Sequence, residues 1–345
     1  MTEREAEELI REFHRVLEPD FPEWIQEYVE TPILQKQKYI STTCGTIYSD
    51  LFENQRFYSS LDHAIGVALV VWHFTHDKKQ TLAGLFHDIA TPVFKHCVDF
   101  MNGDHLMQES TEDLTTEMIA GSPEIGRLLK RDGILISEVD NYHLYPIADN
   151  NTPKLSADRL EYSLANMFFA YGVADLVEIR EIYADIVVQL DENGVKELGF
   201  QTKKIARKFV KLTSQLSMFY REDRTRYSMQ FLADILKKMS ESGRISVTDL
   251  YQMKESEVIE MILASDYGDA FLAWQKAKKI KKAKSLEQCP DGVYVVNCQA
   301  KVRYIDPLWQ SERMSKTCKI AKGYIEKNLA YKMEGYLYLP GVKLT

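Results

Sequence analysis

Apolar residues recur at three- and four-residue spacing through most of the chain, which is the pattern of helices with one buried face. Turn signals such as SSLD, THDKKQ and NGD separate these stretches. The segment 61–76 is apolar almost all round, so it is predicted to lie in the middle of a helical bundle. We therefore expect a mainly α-helical fold. The predicted helices cover residues 3–17, 61–76, 80–90, 110–120, 155–173, 203–218, 225–242 and 254–283.

The pattern changes after Lys284. From Tyr294 to Tyr304, apolar and polar residues alternate, which predicts a strand, or a tight strand pair, with one buried face. Pro307 has no backbone N–H to donate, so it should end this strand. The segment GYLYLPGVKLT near the end of the sequence predicts a further strand. Residues 285–345 are thus expected to form a small α+β appendage.

These patterns divide the chain into four parts. They are an N-terminal helical segment, a helical core, a helical connector and the α+β C-terminal region, at 1–45, 46–240, 241–284 and 285–345. The connector ends in the lysine-rich stretch WQKAKKIKKAKS. We interpret this stretch as the solvated face of a helix, and the alternative is a patch that binds a polyanion or a nucleotide effector.

Composition narrows the classes of function. A chain of 345 residues with 45% hydrophobic content can bury a large core, and its net charge of −8 gives no general attraction for nucleic acid or an anionic membrane. The apolar run 64–74 is about half the length needed to cross a bilayer. The N-terminus lacks the pattern of a secretory signal, and the five scattered cysteines contain no CxxC pair. We expect a cytoplasmic protein with reduced thiols.

Candidate chemistry begins with LAGLFHDIAT, which places His87 and Asp88 at the end of an apolar helix. Burying such groups is unfavourable without a partner, which could be a structural hydrogen bond, a catalytic neighbour or a metal ion. On a helix the two side chains diverge by about 100°, so both can ligate one ion only where the helix ends. Thr91 precedes Pro92 and predicts that end. The same dipeptide at 76–77 lies in a polar turn and needs no ion.

Two further residues are candidates to join this pair. His63 begins the buried helix and faces the same side as its valines, although a core histidine bonded to a carbonyl has the same pattern. Asp158 lies at the start of a helix in KLSADRLEYSLAN, where an aspartate also interacts favourably with the helix dipole.

Together, LDHAIGVALVVWHF, LAGLFHDIATPVFKH and SADRLEY resemble the H…HD…D signature of the HD-domain metal-dependent phosphohydrolases, in the expected order, over roughly residues 40–175. The resemblance implies an HD-domain helical bundle for the core. It also implies that His63, His87, Asp88 and Asp158 hold a divalent ion, namely Mn, Mg, Fe, Ni or Zn. Such an ion polarises a phosphoryl group and acidifies water.

Several positions resemble the branch of this superfamily that hydrolyses deoxynucleoside triphosphates. Arg159 and Tyr162 match the basic residue and the tyrosine that follow the last aspartate, and the segment 301–308, KVRYIDPL, resembles part of the C-terminal region. The expected roles are phosphate binding by the arginine and contact with a sugar by the tyrosine. Thr91 and Ser60 depart from that branch, which has a histidine and an arginine there.

Other residues are weaker candidates. Lys95 is expected to bind substrate. His105 is a candidate general acid or a ligand of a second metal. Glu109 is expected to position water or a catalytic histidine, unless it is only a residue before the capping box STED. His96 is either a packed helix residue or a ligand of a second metal. The remaining histidines considered, His14, His73 and His143, are interpreted as structural.

The sequence leaves three hypotheses of function. The first is a metal-dependent phosphohydrolase that cleaves a nucleotide or related small phosphate ester with activated water. The second is a regulatory module that binds a nucleotide in the same pocket without turnover, which the departures at Thr91 and Ser60 favour. The third is an oligomeric scaffold that uses the strand-rich C-terminal region.

Overall fold

The structure is a computed structural model that describes residues 2–103 and 114–344, and it is mainly α-helical as predicted. The helices are α1 (Glu3–Leu17), α2 (Glu23–Val29), α3 (Pro32–Lys36), α4 (Ser60–Thr75), α5 (Lys78–Phe86), α6 (Cys97–Met101), α7 (Thr115–Ala120), α8 (Pro123–Asp132), α9 (Ala157–Ala165), α10 (Leu176–Ala184), α11 (Lys203–Phe219), α12 (Asp223–Glu241), α13 (Val247–Gln252), α14 (Glu255–Leu263), α15 (Gly268–Gln275), α16 (Met314–Thr317) and α17 (Lys319–Leu329).

The described strands form two small sheets. They are β1 (Ile186–Leu190), β2 (Lys196–Phe200), β3 (Lys281–Ala283), β4 (Val295–Val296), β5 (Leu308–Trp309), β6 (Glu312–Arg313) and β7 (Tyr336–Tyr338). One sheet has the strand order β1-β2-β5-β6. In it β2 and β5 are parallel, with Gly199 opposite Leu308, and the other neighbouring strands are antiparallel. The other sheet has the order β3-β7-β4 and is antiparallel. Both sheets therefore join the C-terminal region to earlier parts of the chain, and the division into four parts stays a prediction.

Helix α4 forms the centre of the fold, as its apolar sequence predicts. It begins with a capping box in which Ser59 and Asp62 satisfy each other's backbone N–H groups. Helices α1, α5 and α9 pack around it. A Cβ atom added at Gly84 of α5 would lie only 3.2 Å from Val71 of α4, so the glycine allows these helices to approach closely. That approach brings the end of α5 next to the first turn of α4.

The prediction of one helix over 254–283 is wrong. The chain forms α14 and α15, and the lysine-rich stretch then runs without helix into β3. Lys278 pairs with Asp50 and Glu53, and β3 is hydrogen-bonded to β7. These long-range contacts override the helix propensity of the lysines. The lysines are nevertheless exposed, as predicted for a solvated face.

The prediction of a long strand over 294–304 is also wrong, because only Val295–Val296 is a strand there. Val296 and Ala300 are buried in alternation, but the pattern fails at Val302, which is exposed. Residues 300–304 border a cavity instead of joining a sheet. The β1–β2 hairpin was not predicted, and its pairing with β5 depends on a segment more than a hundred residues away.

None of the described helices is long and apolar enough to cross a membrane.

Candidate metal centre

Three helix ends bring the candidate metal ligands together. His63 lies in the first turn of α4, and Asp158 lies in the first turn of α9. Helix α5 ends at Phe86, four residues before the predicted end, so His87 and Asp88 follow in a turn. Because the chain leaves the helix there, these neighbouring side chains can face the same point, as the sequence argument required.

The four predicted ligands converge. The Nε2 atoms of His63 and His87 are 3.2 Å apart, and Oδ1 of Asp158 lies 3.3 Å from the first and 3.7 Å from the second. Asp88 places its carboxylate oxygens 3.7 Å from Nε2 of His87 and 3.9 Å from Nε2 of His63. One ligand atom from each of His63, His87 and Asp88 falls within 4.8 Å of the others.

The outer nitrogen of each imidazole is held by a hydrogen bond. Nδ1 of His63 donates to Glu161, a fully buried residue of α9 that also accepts a hydrogen bond from Tyr58 at 2.6 Å. Nδ1 of His87 donates to the carbonyl of Gly84 at 2.7 Å. These bonds aim both Nε2 atoms at the cluster, which is how metal-binding histidines are usually oriented. Glu161 was not predicted from the sequence, although its position three residues after Asp158 was a usable signal.

The electrostatics of the cluster keep the carboxylates ionised. Burial acts against charge on His63, but Glu161 outweighs it and raises the pKa of His63 to about 10. Burial also acts against ionised Asp158, yet the hydrogen bond from His63 keeps the pKa of Asp158 at about 2. For Asp88, Lys95 and the two histidines outweigh burial and hold the pKa well below its usual value. A cation that binds here would displace a proton from the imidazoles.

The donor set fits a divalent ion. Two imidazole nitrogens and carboxylate oxygens are ligands that Mn, Fe, Ni and Zn accept, and Mg accepts the carboxylates. Ligand atoms about 2.1 Å from one ion, at right angles, lie about 3 Å apart. Nε2 of His63 lies 3.2 Å from Nε2 of His87 and 3.3 Å from Oδ1 of Asp158, and both distances agree with that spacing.

The cluster forms part of the wall of a cavity of about 730 Å³. This volume lies in the range of pockets for small molecules and cofactors. The wall also carries basic side chains and tyrosines. The basic residues are Lys95, Lys154, Arg159, Lys301 and Arg303, and the tyrosines include Tyr142, Tyr162, Tyr171, Tyr220 and Tyr304. The three residues predicted to bind substrate, Lys95, Arg159 and Tyr162, are all among them.

These predicted residues differ in their contacts. Nζ of Lys95 lies 2.7 Å from Asp88, beside the metal cluster. The guanidinium of Arg159 is hydrogen-bonded to Asn150 at 2.7 Å and lies 3.4 Å from Asp149. Arg159 therefore braces the loop before α9 as well as bordering the cavity. Burial raises the pKa of Tyr162, which keeps its hydroxyl protonated.

The predicted catalytic residues His105 and Glu109 lie outside the described residues. The two positions that depart from the triphosphohydrolase branch, Thr91 and Ser60, are buried and are not among the described residues that line the cavity. The carbonyl of Thr91 instead accepts a hydrogen bond from Lys36 at 3.0 Å.

The structure places the side chain of His143 on the cavity wall, where it donates to Asp149 at 2.7 Å. The interpretation of His143 as structural stays a prediction. His96 also borders the cavity and donates to Asp99 at 2.9 Å. His14 and His73, in contrast, are not among the described residues of the wall. The sequence also gave no role to Lys301 or Arg303, although the resemblance of KVRYIDPL to a family segment was a signal for them.

The dipeptide at 76–77 has a structural role. His76 is exposed and ends α4 in the left-handed conformation. Asp77 caps the start of α5 by accepting from the N–H groups of Lys79 and Gln80. Neither residue faces the cluster, as expected for a pair in a polar turn.

Comparison with known proteins gives a fold but no family. No family model matches the chain. The uncharacterized protein YdhJ of Bacillus subtilis is 26% identical over 206 residues, which are 59% of this chain and 61% of that protein. The chain thus matches about three-fifths of the length of this curated relative.

Two crystal structures share the fold over nearly the whole chain. A hypothetical protein from Aquifex aeolicus has a TM-score of 0.58 at 14% identity, with 92% of this chain and 91% of that chain covered. A phosphohydrolase from Bacteroides thetaiotaomicron has a TM-score of 0.60 at 11% identity, with 91% and 94% covered. At these identities the likeness establishes the fold alone.

Proposed function

We propose that this protein is a metal-dependent phosphohydrolase that cleaves a nucleotide or a related small phosphate ester. The observation that carries the proposal is the convergence of two imidazole Nε2 atoms, 3.2 Å apart, with the carboxylates of Asp88 and Asp158 on the wall of a large cavity that also carries lysine and arginine side chains. The shared fold with a phosphohydrolase structure supports the phosphohydrolase part of the proposal.

The chain supplies four ligands for the ion: His63, His87, Asp88 and Asp158. A divalent ion bound by them supplies Lewis-acid polarisation of the phosphoryl group and makes water easier to deprotonate at neutral pH. Lys95 lies beside Asp88 and contributes positive charge where a phosphate oxygen would lie. Glu161 keeps the ring of His63 in the orientation that binding requires.

The cavity supports a substrate larger than inorganic phosphate. Its volume of about 730 Å³ accommodates a nucleotide, and basic and tyrosine side chains share its wall. Arginine and lysine bind phosphate oxygens through charge-assisted hydrogen bonds. Tyrosine can stack on a base or hydrogen-bond to a sugar. The acidic chain therefore has lysine and arginine side chains at this cavity that can bind an anionic substrate.

The second candidate function is a regulatory module that binds a nucleotide without turnover. One observation favours it. Thr91 and Ser60, which replace a histidine and an arginine of the triphosphohydrolase branch, are buried away from the described cavity wall, so neither can assume the role of the residue it replaces.

Phosphate release separates the two functions. Metal-free protein is incubated with Mn²⁺, Mg²⁺, Fe²⁺, Ni²⁺ or Zn²⁺ and with nucleoside mono-, di- and triphosphates. We expect release with at least one metal and substrate, and its loss in Asp88→Asn. The matched control is Asp77→Asn, which changes the other His-Asp dipeptide and keeps a residue suited to cap α5. Tight nucleotide binding without release in any condition would support the regulatory module instead.

A further inference from the structure

A histidine–carboxylate pair lies on the cavity wall in addition to the metal cluster. Nδ1 of His143 donates to Oδ2 of Asp149 at 2.7 Å, and both residues border the cavity. The side chain of His143 is 53% exposed, whereas that of Asp149 is 9% exposed. A solvent-accessible imidazole is thus held by a buried carboxylate on the wall of the cavity.

Contacts on both sides connect this pair to the metal cluster. On one side, the ring of Tyr142 lies 4.4 Å from that of His143 and 5.1 Å from that of His87, measured between centroids. On the other side, Asp149 lies 3.4 Å from the guanidinium of Arg159, which follows Asp158 in α9. The pair therefore has a defined position relative to the metal ligands.

The arrangement suits proton transfer. A carboxylate that accepts from Nδ1 fixes the tautomer and orientation of an imidazole, and it stabilises the protonated ring. Nε2 is then the nitrogen that gains or loses a proton. His63 and His87 have their Nε2 atoms in the metal cluster, so they are not suited to this task.

We propose that His143, oriented by Asp149, is the general acid that protonates the leaving group. This inference rests on the proposed phosphohydrolase function. In the step, the oxygen of water bonds to phosphorus, and the bond from phosphorus to the leaving oxygen breaks with its electron pair on that oxygen. The proton of Nε2 passes to the leaving oxygen. The ring recovers a proton from those released by the attacking water, so an ester and water give phosphate and an alcohol.

Leaving-group dependence tests the proposal. A general acid matters most when the leaving oxygen is strongly basic, and little when it is already a good leaving group. The probes are phenyl phosphate and 2,4-dinitrophenyl phosphate with the metal that gives the highest activity. We expect His143→Gln to lower kcat/KM for phenyl phosphate by about 100-fold or more and to change that for 2,4-dinitrophenyl phosphate by less than about 5-fold.

Further variants separate the chemical role from a structural one. Asp149→Asn keeps the ring but removes the carboxylate, so it should produce the same selective loss to a smaller extent. The matched control is His73→Gln, which removes a histidine whose Nδ1 donates to Glu18 at 3.0 Å and which is not among the described cavity residues. It should leave both rates unchanged. Metal content, measured on every variant, should equal that of the wild type.

Three results would overturn the proposal. Equal losses on both esters in His143→Gln, with metal content intact, would assign His143 to binding or to loop structure. A selective loss on phenyl phosphate in His96→Gln but not in His143→Gln would assign the acid to His96. Wild-type protein that binds metal and hydrolyses neither ester nor any nucleotide would contradict the proposed phosphohydrolase function itself, and this inference with it.

Discussion

Nδ1 of His63 donates a hydrogen bond to the fully buried carboxylate of Glu161. This bond connects α4 to α9 directly behind the metal cluster, because Glu161 lies three residues after Asp158. It also explains why a buried histidine has a raised pKa. The proposed metal centre therefore depends on a residue that does not itself face the position proposed for the ion.

Glu161→Gln should weaken metal binding. The amide keeps the shape of the side chain but removes the charge that orients His63, and loss of such an outer carboxylate typically reduces metal affinity or activity by about 10- to 100-fold. Calorimetric titration of metal-free protein with Mn²⁺ or Zn²⁺ measures the effect. Unchanged affinity for both ions would show that Glu161 has no part in holding His63.

Gly66→Ala should also weaken metal binding, because the added methyl group displaces the side chain of Glu161. A Cβ atom at this position of α4 would lie 2.6 Å from Oε1 of Glu161, so the carboxylate must shift, which disturbs its hydrogen bond from His63. We expect about 10-fold weaker metal binding and a loss of stability of about 1–3 kcal/mol. The matched control is Gly126→Ala in α8, where no described atom lies within 4 Å of the added Cβ. That change should stabilise the protein by about 0.5–1 kcal/mol and leave metal affinity unchanged.

Lys95→Met should separate substrate binding from metal binding. Nζ of Lys95 lies 2.7 Å from Asp88, so its removal takes positive charge away from the cluster and should not lower metal affinity. Loss of a charge-assisted hydrogen bond to phosphate should raise KM by about 10-fold or more. Lys208→Met, which breaks a surface contact with Glu178 and Glu181, is the control. Metal affinity that falls in parallel with activity would contradict this role.

Glu255→Gln should remove a pH dependence of stability. Glu255 is fully buried, and its Oε1 has no hydrogen-bond partner among the described residues. Burial outweighs the hydrogen bond from Tyr48 and raises the pKa of Glu255 from 4.5 to about 7. Protonation therefore favours the folded state. The stabilisation is fully present below pH 4.5 and is lost as the pH rises through 7.

Chemical denaturation of the wild type and of Glu255→Gln at several pH values measures this effect. Between pH 4.5 and 7, the free energy of unfolding of the wild type should fall relative to that of the variant, by up to about 3 kcal/mol. Glu260→Gln changes an exposed glutamate of the same helix and is the control. A constant difference between wild type and Glu255→Gln across this range would contradict the shifted pKa.

The sequence predicted those parts of the fold that local patterns determine. The periodicity located α1 and α11 closely, and the apolar character of α4 placed it in the core. Elements that depend on distant pairing were missed. Strand β2 pairs with β5, over a hundred residues away, and β3 pairs with β7, over fifty residues away, which periodicity cannot detect. The local β1–β2 hairpin was missed as well.

Part of the candidate site was also predicted from local sequence patterns. His63, His87, Asp88 and Asp158 lie at helix ends, and spacing and motif order were enough to select them. Glu161 was missed because a single glutamate in an amphipathic helix is ordinarily exposed. The place of His143 on the cavity wall was not predicted, because it depends on a loop whose path the sequence does not specify.

The most direct test of the account is a calorimetric titration of metal-free wild type and Asp158→Asn with Mn²⁺ and Zn²⁺. Asp158 is suited to this test because it reaches the cluster from a different helix than His63 and from a different segment than Asp88. We expect the wild type to bind at least one ion per chain, and the variant to bind it about 10-fold or more weakly. A wild type that binds neither ion, or a variant with wild-type affinity, would contradict the proposed metal centre.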